Sequence, residues 1–282
     1  MDFHSLDPQF REALAEDLGE GDVTTGPILD QAGKAEVRLE ARLVARQECV
    51  LAGWPVFVRI FELLGPCSAR CRFEEGDSVP AGTTVGVVEA SPGVLLKGER
   101  VALNFLQRLC GIAGLTRRYV GMVAHTKVKI LDTRKMTPLW RAIEKYAVRI
   151  GGGTNHRFGL YDQVLIKENH IALAGGIGPA VRMCRKSGGD RYRIEVEVTA
   201  PAGVAEAVEA GADIVLLDNM SPGQVRESVA VAAGRCLLEV SGGVNEGSLV
   251  EYAETGVDFI SMGVLTHSCR AADLSLLLSP HE

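Results

Sequence analysis

Residues 132–170 read DTRKMTPLWRAIEKYAVRIGGGTNHRFGLYDQVLIKENH, with seven Lys and Arg against four acids, in a chain of net charge −6. VKIL at 128–131 just precedes this stretch, and QVLI at 163–166 lies near its end. Both runs are short, apolar and β-branched, the pattern of a buried strand. Arg134 and Lys135 follow the first run, and Lys167 follows the second. His156 and Arg157 lie between them, beyond the interruption at Gly151–Gly153. Cations so close behind buried strands are poorly placed for packing and well placed to hold an anion at a strand end.

Further strand-like runs follow: RIEVEV (193–198), DIVLL (213–217), CLLEV (236–240) and DFISM (258–262). Helix-like segments at 139–149, 178–187, 202–210, 222–233 and 245–255 alternate with them, several ending at Gly188, Gly211, Gly234 or Gly256. Strands alternating with helices indicate parallel βα units, and near-continuous apolar strands indicate a sheet covered on both faces. Six such strands suit a barrel with fewer than the usual eight, or a doubly wound sheet.

The first hundred residues have a different rhythm and read as α+β. The spacing predicts a helix over 7–17, with Asp7 as cap and Pro8 in the first turn, followed by a loop at GEGDVTT. KAEVRLEARLVA (34–45) alternates like a half-buried antiparallel strand. Trp54–Leu64 reads as a helix stopped by Gly65, with strand pieces at 71–73 and 83–90. A helix over 95–109, a break at GIAG and a second helix over 115–125 would bridge the two parts. The final AADLSLLL reads as helical. The expected division is an N-terminal α/β domain at 1–110 and a βα barrel at 111–265, with 266–282 returning to the first.

Composition narrows the classes. At 46% hydrophobic and 23% charged the chain is of ordinary globular composition. Its negative charge argues against a general nucleic-acid binder. The N-terminus is polar and acidic, no apolar run reaches a membrane-spanning length, and seven scattered cysteines point to a reducing cytoplasm. Cys67 and Cys71 lack a second pair at zinc-ligand spacing.

In βα folds the functional face lies at the C-terminal ends of the strands. Those ends carry Arg134 and Lys135, then Lys167, Glu197, Asp218, Ser241 with Gly242, and Gly263. The cations suit carboxylate and phosphate, and the glycine-containing ends expose backbone N–H groups that suit phosphate. Glu197 and Asp218 suit Mg²⁺ held through water, or sugar hydroxyls. A phosphorylated sugar with a metal, beside a second anion, is the ligand these residues describe. A Schiff-base lyase or aldolase using Lys167 and a sugar-phosphate sensor are the competing classes.

EDLGEGDVTT, KGERVALNFLQ, DTRK, EKYAVRIGGGTNHR, LIKENH, EVEV, LLDN, SGGV and ISMGVLT, in this order, resemble the quinolinate phosphoribosyltransferase family over nearly the whole chain. The resemblance implies an N-terminal open α/β sandwich and a C-terminal incomplete, six- to seven-stranded βα barrel. It implies transfer of phosphoribose from phosphoribosyl pyrophosphate to quinolinate with decarboxylation, a step of NAD biosynthesis, with Mg²⁺ as cofactor. Arg134, Arg157 and Lys167 would hold the quinolinate carboxylates, with His156 beside them. Lys135 and Lys167 would meet the phosphates. Glu197 and Asp218 would serve the ribose and the Mg²⁺-bound pyrophosphate, and Ser241, Gly242 and Gly263 the 5′-phosphate. Arg100 would reach a neighbouring subunit's site, which implies a homodimer. One departure stands out: TRKMTPLWR replaces the family's common TRKTTPGLR, so Met136 stands for a threonine and Leu139-Trp140 for Gly-Leu. That change keeps in view a related branch associated with molybdenum transport.

Overall fold

The computed structural model describes residues 2–33 and 37–278. It divides into two compact units.

The first unit comprises the described residues within Met1–Leu115, Pro138–Gly151 and Cys269–Glu282. Its elements begin with α1 (Asp7–Leu18), α2 (Thr25–Ala32), β1 (Leu39–Ala45), β2 (Cys49–Val50), α3 (Trp54–Leu64), β3 (Cys67–Cys71), β4 (Ser78–Val79), β5 (Thr84–Ala90) and the start of α4 (Pro92–Met122). In the second unit come β6 (Lys129–Leu131), β7 (Val164–Ile166), α6 (Glu168–Ala174), α7 (Ile177–Gly188), β8 (Ile194–Val198), α8 (Pro201–Glu209), β9 (Ile214–Asp218), α9 (Pro222–Ala232), β10 (Leu237–Ser241), α10 (Leu249–Ala253), β11 (Phe259–Ser261) and α11 (Val264–His267). α5 (Arg141–Ile150) and β12 (Leu274–Leu278) belong to the first unit, so the excursion over 138–151 has no counterpart in the division read at residue 111.

The first unit is built on an antiparallel sheet of order β12-β1-β5-β3. Phe10 of α1, Phe57 and Phe61 of α3 and Phe105 of α4 are buried in its core. Asp7 does not cap α1; it is that helix's first residue, and its carboxylate accepts from Arg59 at 2.9 and 2.5 Å. Thr25–Ala32 is a helix that the loop reading missed, and the third strand lies at 67–71 instead of 71–73. The expected start of the first strand at Lys34–Glu36 lies outside the described residues.

Two further expectations are corrected. GIAG does not break a helix: α4 runs unbroken for 31 residues. A Cβ at Gly111 would sit 2.0 Å from the Arg270 carbonyl oxygen, so this glycine permits a close backbone approach within a helix. The final apolar run is a strand, not a helix. β12 pairs antiparallel with β1, Leu276 opposite Leu43, and its Leu274 and Leu276 are buried. Approach to a free sheet edge decided between two conformations that an apolar run alone leaves open.

The second unit holds six parallel strands in the order β6-β11-β10-β9-β8-β7. Among the described residues, β6 and β7 end this order without pairing to each other, so the barrel is open. Of the two architectures the strand count allowed, the incomplete barrel is the one formed. No described helix is long and apolar enough to cross a membrane.

Candidate active site

Parallel pairing brings the C-terminal ends of all six strands to one edge. β10 pairs Ser241 with Asp218 of β9 and with Ser261 of β11, so these side chains share a level. A cavity of about 430 Å³ opens there. Its lining includes Arg134, Lys135, His156, Arg157, Lys167, Glu197, Asp218 and Ser241, eight residues singled out in the sequence. Gly242 follows Ser241 directly, Gly263 lies two residues beyond Ser261, and neither glycine lines the cavity itself. Arg100 is exposed on α4 and is likewise absent from the lining.

The cationic side is under electrostatic stress. Arg157 is only 9% exposed. Burial, and then repulsion from Arg134, hold its guanidinium below the ordinary arginine range. Its Nη1 donates to the Gln163 carbonyl at 3.3 Å. Two guanidiniums close enough to repel are a site that an anion relieves. Lys167 Nζ donates to Glu197 Oε2 at 2.5 Å, so this lysine is presented as an ion-paired cation. That pairing disfavours the Schiff-base reading, which needs a free amine.

The loop carrying these cations is held from below by Asp132. Its fully buried carboxylate accepts from Asn155 Nδ2 at 2.5 Å and from the His156 backbone N–H at 2.9 Å. Thr133 Oγ1 accepts from the Lys135 N–H at 3.0 Å, and Thr266 Oγ1 donates to the Lys135 carbonyl at 2.8 Å. Such contacts hold Arg134 and Lys135 on a defined backbone. On the acidic side, Asp218 accepts from Asn219 Nδ2 at 2.9 Å. Asn219 takes a φ of 54° and donates its N–H to the Ser241 carbonyl. A Cβ on Gly242, whose φ is 85°, would meet Asn219 Oδ1 at 2.3 Å. The LLDN and SGGV motifs therefore interlock, and this glycine is needed for fit whatever it binds.

Beneath this edge lies a polar group that the sequence reading missed. Glu195 and Glu239 are 0% and 1% exposed. His156 Nε2 is 3.2 Å from Glu195 Oε2 and 3.5 Å from Glu239 Oε2. Gln163 Nε2 donates to Glu195 Oε2 at 2.8 Å. Burial, then the Glu195 charge, push the Glu239 carboxyl up to about 8. Glu239 lines the cavity, together with Ser261. A period of two was the available signal: Glu195 precedes Glu197 and Glu239 precedes Ser241 by two residues, which puts each pair on one face of its strand.

His156, Glu195 and Glu239 are also the one group among the described residues whose ligand atoms converge, all within 4.8 Å. The tautomer argues against a cation there. His156 Nδ1 accepts the Arg157 backbone N–H at 2.7 Å, so the single proton of a neutral imidazole sits on Nε2 and offers no lone pair. Glu197 and Asp218 fit a hard cation better, as carboxylates on neighbouring strand ends lining one cavity. Magnesium is commonly held by one or two carboxylates together with substrate phosphates.

An open βα barrel with a strongly cationic cavity at its C-terminal strand ends, faced by two acids, defines an enzyme-type site for a multiply anionic small molecule. The models of the quinolinate phosphoribosyl transferase N-terminal and C-terminal domains match residues 22–110 and 112–277. A probable nicotinate-nucleotide pyrophosphorylase (carboxylating) of Bacillus subtilis is 41% identical over 262 residues, 93% of this chain and 89% of its own. The nicotinate-nucleotide pyrophosphorylase (carboxylating) of Mycobacterium leprae is 37% identical over 282 residues, 98% of each chain. The crystal structure of NadC from Streptococcus pyogenes is similar with a TM-score of 0.95 at 38% identity, covering 100% of this chain and 99% of its own. The chain belongs to the quinolinate phosphoribosyltransferase family.

Proposed function

We propose that this chain transfers phosphoribose from phosphoribosyl pyrophosphate to quinolinate and decarboxylates the product, giving nicotinate mononucleotide, pyrophosphate and CO₂ for NAD biosynthesis. The observation that carries this reading is the single cavity in which Arg134, Lys135, Arg157 and Lys167 face Glu197 and Asp218. Arg134, Arg157 and Lys167 bind the two quinolinate carboxylates. His156 stands beside them with both ring nitrogens engaged by the protein, so it offers the ligand its ring surface. Lys135 and Lys167 neutralise phosphate charge as pyrophosphate leaves the ribose C1, an electrostatic form of catalysis. Ser241, Gly242 and Gly263 receive the 5′-phosphate. The pyridine nitrogen captures the cationic C1, and the resulting pyridinium stabilises the electron pair left on C2 when CO₂ departs.

Glu197 and Asp218 would hold Mg²⁺, which when bound adds charge neutralisation at the pyrophosphate. The reading extends to a cytoplasmic homodimer. Seven free thiols support the compartment, and an exposed Arg100 outside the cavity lining is available to a neighbouring subunit's site. The test is incubation with quinolinate, phosphoribosyl pyrophosphate and Mg²⁺, following labelled CO₂, pyrophosphate and nucleotide. One of each per quinolinate consumed is expected; absence of CO₂ and nucleotide overturns the reading. Omitting Mg²⁺ should abolish turnover, and unchanged turnover in a chelator would remove the metal from it.

A further inference from the structure

The proposed reaction leaves an electron pair on C2 of the pyridinium, and that carbon must gain a proton before nicotinate mononucleotide can leave. Most cavity groups are poor sources. Arg134 and Arg157 carry guanidiniums that do not deprotonate in proteins. Lys167 is tied to Glu197 at 2.5 Å. The one ring proton of His156 sits on Nε2, directed at Glu195 and Glu239. Lys135 is assigned to phosphate.

The buried pair remains. One imidazole N–H faces two carboxyl groups that are essentially without solvent access, and each retains a buried oxygen, Oε1, with no hydrogen-bond partner. Two carboxylates packed this way against a neutral imidazole would both be charged in a low-dielectric site, which is costly; sharing a proton removes one charge. Glu195 Oε2 already accepts from Gln163 Nε2 at 2.8 Å. Glu239 lines the cavity and Glu195 does not. Resting on the reaction proposed above, we infer that Glu239 is the general acid that delivers the proton to C2 as CO₂ departs.

The step balances. The bond from C2 to the carboxylate carbon breaks and CO₂ leaves. Its electron pair stays on C2 and takes the proton from the Glu239 O–H, forming the C2–H bond. Glu239 is left as a carboxylate beside the His156 N–H and regains a proton from water before the next turnover. Facing Glu239 are Glu195 from β8, His156 from the loop after α5 and the Ser261 hydroxyl from β11. Arg134, Lys135, Arg157, Lys167, Glu197 and Asp218 share its cavity. Burial and the Glu195 charge raise its carboxyl to about 8, and the His156 ring and the Ser261 hydroxyl oppose that rise.

The test is Glu239→Gln, which keeps side-chain size and hydrogen-bonding capacity and removes the acid. The kcat for CO₂ release should fall by about 10²–10⁴-fold, the usual contribution of general acid catalysis. Quinolinate affinity of the free enzyme should stay within threefold, and Glu239→Asp should recover part of the rate. Wild-type kcat should decline as pH rises through about 8, and the variant should lose that limb. In equal H₂O and D₂O, the proton-to-deuteron ratio at product C2 should differ between wild type and variant, because the donor differs. A variant whose kcat is within threefold of wild type overturns the assignment. So does one whose loss lies in quinolinate affinity, which marks a purely structural prop for His156. If the variant does not fold, a wild-type kcat that is flat through pH 8 still overturns it. A wild type that releases no CO₂ defeats the reaction itself, whatever the variant does.

Discussion

Arg157 is nearly buried, donates to a backbone carbonyl and repels Arg134 across the cavity. Its burial makes sense once an anion lies between the two. Arg157→Ala should weaken quinolinate binding by about 30- to several-thousand-fold, the cost of about 2–5 kcal/mol for stripping one partner from a desolvated charge pair. Calorimetric titration of the folded variant checks this, and unchanged affinity would remove Arg157 from the site. Met136 is half-buried and does not line the cavity. Met136→Thr should therefore change catalytic efficiency for quinolinate by no more than about tenfold, roughly 1.4 kcal/mol. Steady-state kinetics decides it; a wild type inert to quinolinate and revived by threonine would point to another substrate. Leu139 has a φ of 66°, the left-handed conformation that suits the family's glycine there, and its side chain is 72% exposed. The adjacent Trp140 stacks on Phe105 at 4.4 Å and 22°, a packing contact that leucine in the family's motif would not make. A leucine held there costs about 1–2 kcal/mol, partly offset by the extra freedom glycine has when unfolded. Leu139→Gly should raise unfolding free energy by up to about 1 kcal/mol in urea titration. A clear loss of stability would show that the exposed leucine makes a contact of its own.

At the scale of elements, α4 and the C-terminal segment meet where only a glycine fits. Gln107 Nε2 donates to the Leu274 carbonyl at 2.8 Å, and the Ala272 N–H donates to the Gln107 carbonyl at 2.9 Å. These bonds draw the segment onto the helix at Gly111 and lead it into β12. Gly111→Ala should destabilise the protein by about 1–3 kcal/mol through overpacking, although alanine favours a helix by about 1 kcal/mol. Chemical denaturation checks the sign; stabilisation would mean that the Arg270 carbonyl gives way freely. The same local reading fails at GIAG and at AADLSLLL for one reason. Propensity and periodicity describe a segment's own preferences, while a close neighbour or an open sheet edge outweighs them.

At the scale of the whole molecule, Arg100 and the cavity are the two halves of the proposed shared site. Inactive Arg100→Ala protein mixed with inactive Lys167→Ala protein should regain activity after subunit exchange, because one site of each heterodimer combines two intact halves. Exchange shown by mass spectrometry without recovered activity would rule out the shared site. Much of the architecture was legible in the chain alone. The alternation of apolar strands with helices over 128–262 marked parallel βα units, and the residues read at five of the six strand ends marked the cavity rim. The rim was readable because strand ends in such units converge by topology, whatever the packing details. The sequence by itself therefore determined the six strands of the barrel, the edge at which the candidate site lies and its cationic side. The tertiary structure alone decided that α4 runs unbroken through GIAG, that the last strand joins the first unit's sheet, and that Glu195 and Glu239 meet His156 out of water. Those outcomes depend on register and burial between segments far apart in the chain, and no local pattern encodes which distant carboxyl will meet which neighbour.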